Sequence, residues 1–197
     1  IPFEICKLLD YIFRNLNFVI RSGKYLTEKF TTSIGLPQGD PISPILFSLF
    51  TFDLPDCFPH LGSLIHGIYI KYLMFADDLA IIADTPAELQ AAINALDAYC
   101  SLNGLKINTS KTRCMAFYRG RPTTCTFTLG KDRLELVNKF TYLGFVLTTQ
   151  LSFTEHLNAI TAKANSRCGT LMAKLPLRSL PVSLVLDVYN CFVLPIF

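Results

Sequence analysis

The chain predicts an α+β fold in which helices cover one face of an antiparallel sheet. Apolar residues recur at three- and four-residue spacing near both ends and in the middle, which marks amphipathic helices. Between them, short apolar runs with two-residue alternation mark strands. Gly and Pro punctuate the joins, so the elements are short.

The bulk numbers allow such a fold. Of 197 residues, 51% are hydrophobic and 17% charged, which supports a sizeable core and argues against global disorder. No apolar run reaches the ~18 residues that cross a bilayer; the longest candidate, Pro44 to Leu54, is too short. The sequence opens Ile1-Pro2-Phe3-Glu4, without an initiator Met or a basic leader, so it reads as a fragment with no signal peptide. Seven Cys (6, 57, 100, 114, 125, 168, 191) form no C-x-x-C pair. They read as reduced, buried thiols of an intracellular protein, nuclear or cytoplasmic and not secreted. His60, His66 and His156 are dispersed, so no zinc site is indicated.

Taken in order, Ile5, Leu8, Leu9, Ile12, Phe13 and Leu16 predict a helix from about Pro2 to Asn17. Phe18 to Ile20 and Tyr25 to Ile34 read as strands joined at Ser22-Gly23. Gly35 to Pro44 holds two Gly and three Pro and cannot be regular structure. It feeds Ile45 to Phe50, expected as a buried helix with Pro41 or Pro44 in its first turn. This loop is either a rigid connector or a place where a ligand approaches the backbone closely. Gln38, between Pro37 and Gly39, offers both a donor and an acceptor. Pro55 to Gly67 reads as a loop.

Ile68 to Met74 and Leu79 to Ala83 read as two strands with Asp77 and Asp78 at the tip between them. Two adjacent carboxylates at the end of buried strands are costly without a positive partner. A divalent cation with oxygen ligands satisfies them; the alternative is one Asp capping a turn and the other solvated.

Thr85-Pro86-Ala87-Glu88 is a capping box with Pro at the first helical position. Its helix carries Leu89, Ile93, Leu96 and Cys100 on one face and ends at Asn103-Gly104. Short strands follow at 105–108, 113–118, 127–129, 134–137 and 142–147, with a basic turn at Arg119 to Pro122, so 113–147 reads as a small antiparallel appendage. Thr154 can cap a helix to about Lys174, with Leu157, Ile160, Ala164, Cys168, Leu171 and Leu175 inward. A last helix runs from near Pro181 towards Phe197.

Charge is divided along the chain. Residues 1 to 105 carry 6 Lys/Arg and 11 Asp/Glu; between Lys106 and Arg178 there are 12 Lys/Arg and 3 Asp/Glu. An acidic tip in the first half and a basic surface in the second suit a phosphate-rich partner such as nucleic acid, or an ordinary solvated face.

The order of these motifs resembles the reverse transcriptase family, specifically the non-LTR retrotransposon type, with group II intron enzymes as cousins. Gly35 to Phe47 is similar to that family's template- and nucleotide-contacting loop and helix. Phe75-Ala76-Asp77-Asp78 is similar to its metal-binding hairpin, and Gly104 to Thr112 to the palm motif that follows. Tyr142-Leu143-Gly144 is similar to its primer-grip hairpin, and the chain from Phe153 onward to the start of its thumb. The resemblance covers essentially the whole chain.

The resemblance implies a palm-like antiparallel sheet at 1–118, a β appendage with a primer-grip-like hairpin at 119–150, and a partial helical thumb at 151–197. It implies extension of a DNA primer on an RNA template with deoxynucleotides, using two Mg2+ ions. Asp77 and Asp78 would be the catalytic metal ligands. Gln38, Gly39 and Lys111 would meet nucleotide and template. Tyr142, Leu143 and Gly144 would hold the primer, and Arg167 and Lys174 the nucleic-acid backbone. The family's other metal-binding aspartate lies on a strand ahead of this chain, as do the fingers; Asp10 and Asp53 match neither motif. The chain is therefore expected to be part of a longer polyprotein, with fingers and an endonuclease or RNase H domain, and not to polymerise alone. A non-catalytic RNA-binding or maturase-like protein of the same fold is the alternative.

Overall fold

The computed structural model describes residues 2–32, 34–58, 62–118, 124–176 and 179–196. His60 and the expected basic turn at 119–122 lie outside them. The chain divides into two compact units, one formed by residues 1–53 with 75–78, the other by 54–74 with 79–197.

The first unit begins with α1 (Phe3–Arg14), shorter than expected because Asn15 closes it, its side-chain amide donating to the Tyr11 carbonyl at 2.7 Å. A hairpin follows, β1 (Arg21–Ser22) with β2 (Tyr25–Leu26), turning at Gly23-Lys24 and continued by the Phe18–Phe30 bridge. Only two residues per strand pair here, where longer strands were expected. The helix α2 (Ser43–Phe50) comes after the Gly- and Pro-rich loop.

Neither helix is buried as the sequence suggested. On α1, Ile5 and Leu8 stay 47% and 57% exposed, and on α2, Ile45 stays 62% exposed. The spacing correctly gave an apolar face. Within its own unit, however, the other regular elements are only a short hairpin and another short helix, too little to enclose it.

All buried apolar residues among those described lie in the second unit. The segment expected as a plain loop holds a 3-10 turn (Leu54–Cys57) and β3 (Ser63–Ile65), which pairs with β4 (Ile68–Ile70). The run expected as one strand breaks at Lys71: β4 serves β3, while β5 (Tyr72–Phe75) pairs with β6 (Asp78–Ile81).

The capping box forms as expected. The Glu88 amide donates to Thr85 Oγ1 at 3.2 Å, and the Thr85 amide donates to Glu88 Oε2 at 3.3 Å. It opens α3 (Pro86–Leu102), which ends with Gly104 at φ 66° and the Leu105 amide bonded back to the Cys100 carbonyl at 2.8 Å, a Schellman closure. On one flank of α3, Ala92, Tyr99 and Cys100 pack with Leu54 and the fully buried Phe58, and Tyr72, Met74, Leu79 and Ile81 of the hairpin join them.

On the other flank, Ile93 packs with Cys114, Phe127, Leu129 and Leu134. These come from β7 (Arg113–Cys114), β8 (Phe127–Leu129) and β9 (Asp132–Leu136). In this sheet β9 pairs antiparallel with β8 but parallel with β7, where a purely antiparallel arrangement was expected. Gln90 of α3 reaches β8 like an extra strand. Its Oε1 accepts the Thr128 amide at 3.0 Å and its Nε2 donates to the Thr128 carbonyl at 2.8 Å. Leu105 to Asn108 alternates between half-buried and exposed side chains but joins no strand.

The single strand expected at 142–147 is a hairpin, β10 (Lys139–Tyr142) with β11 (Phe145–Thr148). Two helices end the chain, α4 (Thr154–Lys174) and α5 (Val182–Phe192). Thr154 is the first residue of α4 rather than its cap; its amide donates to Ser152 Oγ at 3.3 Å. Leu157 is 59% exposed, and His156 takes the inward position instead. The class is α+β as expected, but the described strands form five small sheets rather than a palm-like sheet and one β appendage. No described helix is long and apolar enough to cross a membrane.

Phe58→Ala is expected to destabilise the chain by about 3–5 kcal/mol, measured by urea denaturation, because it leaves a ring-sized void at the centre of one cluster. Cys114 gives a second check. Burial pushes its thiol up to about 11, so at pH 8 alkylation should mark exposed Cys6 and Cys191 first and reach Cys114 only on unfolding.

Candidate functional site

The β5–β6 hairpin turns in two residues, Ala76 and Asp77. Ala76 sits at φ 52°, a left-handed conformation that costs a residue with a Cβ about 1–2 kcal/mol. Asp77 and Asp78 are both exposed at this tip. Exposure changes the electrostatics expected from the sequence: two unit charges ~4 Å apart in water repel by only about 1 kcal/mol, so the pair is tolerable without a cation.

The donor set suits magnesium, which commonly takes one or two carboxylates and completes its shell with water and substrate phosphate. Among the described residues no three His, Cys, Asp or Glu side chains converge on one point. Asp10, one of the acids outside the motif, is paired with Arg14 at 2.7 Å on the surface of α1.

The tip, Phe75–Asp78, groups with the first unit, which also carries the Gly-rich loop. That loop is built around a tight turn at Pro37-Gln38-Gly39-Asp40. The Asp40 amide faces the Pro37 carbonyl at 3.5 Å, and Gly39 takes φ 90°. A positive φ at the third position is what a type II turn requires, and Gly meets it without strain. Ser43 then ties the loop to α2, donating to the Pro37 carbonyl at 2.8 Å and lying 3.3 Å from Asp40 Oδ2. Gln38 and Gly39 are left exposed at the crest.

Lys111 stands exposed on a turn organised by Asn108, whose Oδ1 accepts the amides of Ser110 and Lys111 at 3.1 and 3.3 Å. Its neighbour Arg113 is fixed on Glu135 at 3.0 Å. The β10–β11 turn is Leu143-Gly144, at φ 47° and 83°. Two positive φ values are the signature of a type I′ hairpin turn, where Asn-Gly is usual and Leu is strained. Leu143 is nonetheless 53% exposed. The half-buried Tyr142 behind it turns its hydroxyl to the Leu73 carbonyl of β5 at 3.3 Å.

On α4, Lys163, Arg167 and Lys174 fall on one stripe of the helix. Lys163, Ser166, Arg167 and Thr170 line a shallow groove of about 610 Å3 closed by Ile196.

Three contributors were missed in the sequence. Ser43 and Asp40 brace the Gly-rich loop. His156, set aside as a dispersed histidine, packs at 4.0 Å on Phe145 and accepts the Val146 amide on Nδ1 at 3.3 Å. The contact joins residues eleven positions apart in different elements, so no local spacing signalled it.

The model of the family described as reverse transcriptase (RNA-dependent DNA polymerase) matches residues 2–147. An RNA-directed DNA polymerase of transposon BS from Drosophila melanogaster is 31% identical over 145 residues, 70% of this chain and 16% of that protein. The Pol polyprotein of type-2 retrotransposable element R2DM, from the same organism, is 32% identical over 133 residues, 62% of this chain and 12% of that protein. The corresponding polymerase of the X-element is 24% identical over 204 residues, 99% of this chain and 22% of that protein. The chain thus spans between about an eighth and a quarter of these relatives' lengths.

Leu143→Asn should stabilise the chain by about 0.5–1 kcal/mol in urea titration, since Asn occupies the left-handed region more easily. A loss of stability would show that the Leu143 side chain has packing that outweighs its strain.

Proposed function

The chain belongs to the reverse transcriptase family, of the non-LTR retrotransposon type, and on that premise we propose that it supplies the palm and the start of the thumb of an RNA-directed DNA polymerase. In this reading residues 1–118 form part of the palm, 119–150 the appendage with the primer grip, and 151–197 part of the thumb. The observation that carries it is the pair Asp77–Asp78, exposed on a strained two-residue turn that shares a compact unit with the Gly-rich loop. Strain at an exposed tip is retained where the tip has a task.

Asp77 would be the direct metal ligand and Asp78 its neighbour. These carboxylates would hold Mg2+, which when bound would supply activation of the primer 3′-hydroxyl by one ion and charge stabilisation at the transferred phosphate by two. The rest is done by the chain. Gln38 and Gly39, on a crest braced by Ser43, would lie against the incoming nucleotide and template. Lys111 would offset triphosphate charge. The Leu143-Gly144 turn would rest on the primer terminus. Arg167 and Lys174, with Lys163 on the same stripe of the helix, would take backbone phosphates. Its partners would be an RNA template, a DNA primer and deoxynucleotides, within a polyprotein like those of its relatives. It would act inside the cell, in nucleus or cytoplasm, which fits seven free cysteines.

The test is primer extension by a protein of the relatives' length that carries this chain. Asp77→Asn should lower Mg2+-dependent extension at least about 100-fold, comparable to removing a transition-state contact, while duplex affinity changes less than threefold. Extension that survives the substitution overturns the catalytic reading. Arg167→Glu should instead weaken duplex binding on all sequences alike and flatten its salt dependence by about one phosphate contact.

A further inference from the structure

We propose that Ser43, the first residue of α2, is the positioning residue that sets the Gln38-Gly39 crest and thereby the affinity for the incoming nucleotide. The kinetic consequence rests on the reading above; the positioning itself stands on contacts within residues 37–46, all inside one compact unit.

A tight turn is ordinarily closed by the bond from its fourth amide to its first carbonyl. Here that bond is long. The Asp40 amide lies 3.5 Å from the Pro37 carbonyl oxygen, outside the usual range for an amide donor. The same oxygen takes a shorter bond, 2.8 Å, from Ser43 Oγ six residues on. The turn is therefore closed from outside, by a side chain of the helix that follows it. Asp40 Oδ2 stands 3.3 Å from the same hydroxyl, so the single hydroxyl proton has a loop acceptor in either orientation.

Ser43 is a fixed point from which to hold the loop. It is half-buried, and its amide donates to the Asp40 carbonyl at 3.2 Å. The first turn of α2 closes behind it, the Leu46 amide on the Ile42 carbonyl at 3.0 Å. Pro41 and Pro44 flank it with φ locked by their rings. The crest has no comparable support. Gln38 and Gly39 are exposed, and a Cβ built on Gly39 would meet no described atom within 4 Å. Without the hydroxyl, the Pro37-Gln38 peptide is free to turn, and with it the Gln38 side chain and the Gly39 amide. The crest would then hold its binding arrangement for only part of the time, and apparent affinity falls by that fraction.

Two measurements test this. In a protein of the relatives' length that carries this chain, Ser43→Ala is expected to raise KM for deoxynucleotide about 2- to 10-fold, the effect of one net hydrogen bond, with kcat within about twofold of wild type. Ser43→Thr keeps a hydroxyl in place and should bring KM back to the wild-type value. Ser48→Ala removes a hydroxyl that only donates back along α2, to the Pro44 carbonyl at 3.0 Å, and should move neither constant. A fall in kcat at unchanged KM is what fewer folded molecules produce, and it overturns the inference. So does an equal rise in KM for Ser48→Ala, or a Ser43→Thr protein no better than Ser43→Ala. On the chain itself, nitrogen-15 relaxation follows the crest with no nucleotide present. The Gln38 and Gly39 amides should show order parameters of about 0.85 in wild type and below about 0.6 in Ser43→Ala; values that do not change overturn the positioning. Gln38→Ala separates the two ways of failing. If it raises KM and Ser43→Ala does not, Ser43 has no positioning role. If neither moves KM, the nucleotide reading of the loop falls, and the relaxation result alone decides whether Ser43 sets the crest.

Discussion

One face of the β5–β6 hairpin, Tyr72, Met74, Leu79 and Ile81, packs onto the cluster of Leu54, Phe58, Ala92, Tyr99 and Cys100, and this packing holds the two strands of the hairpin. The hairpin has four residues per strand and no third strand among the described residues. Such a pair is marginal by itself in water. Its stability must come from α3 and the 3-10 turn beneath it. Ala76 in the two-residue turn keeps φ 52°, a strain that persists only where the surrounding structure holds it.

The same helix organises the other half of the second unit. The opposite flank of α3 holds the β7–β9–β8 sheet through Ile93 and the Gln90–Thr128 pair. Lys111 lies at the entry to β7 of that sheet. The capping box and Schellman closure of α3 define its two ends without help from tertiary contacts.

What could be read from the sequence was local. The α3 capping box, the Asp tip, the Gly-rich connector and the basic stripe of α4 each lie within a few residues, and short-range rules captured them. What escaped was non-local. Nothing in Ile68 to Met74 says that the run changes partners at Lys71, since both halves have strand-like composition. The parallel β7–β9 pairing and the Tyr142–Leu73 contact join residues 22 and 69 positions apart. The α1 and α2 faces show another limit: periodicity reveals that a helix has an apolar side, not that its own unit provides a partner. His156 escaped because a single histidine was weighed only as a metal ligand, although its ring and acceptor nitrogen serve packing equally well.

Under the proposed function, Asp77 and Asp78 hold a divalent cation at the hairpin tip. Fe2+ can replace Mg2+ at oxygen ligands and, with ascorbate and peroxide, cuts the backbone beside its site. In a protein of the relatives' length that carries this chain, the account predicts cleavage concentrated between residues 75 and 79, suppressed by excess Mg2+. Cleavage confined to other segments, or cleavage at the tip that Mg2+ does not displace, would contradict it.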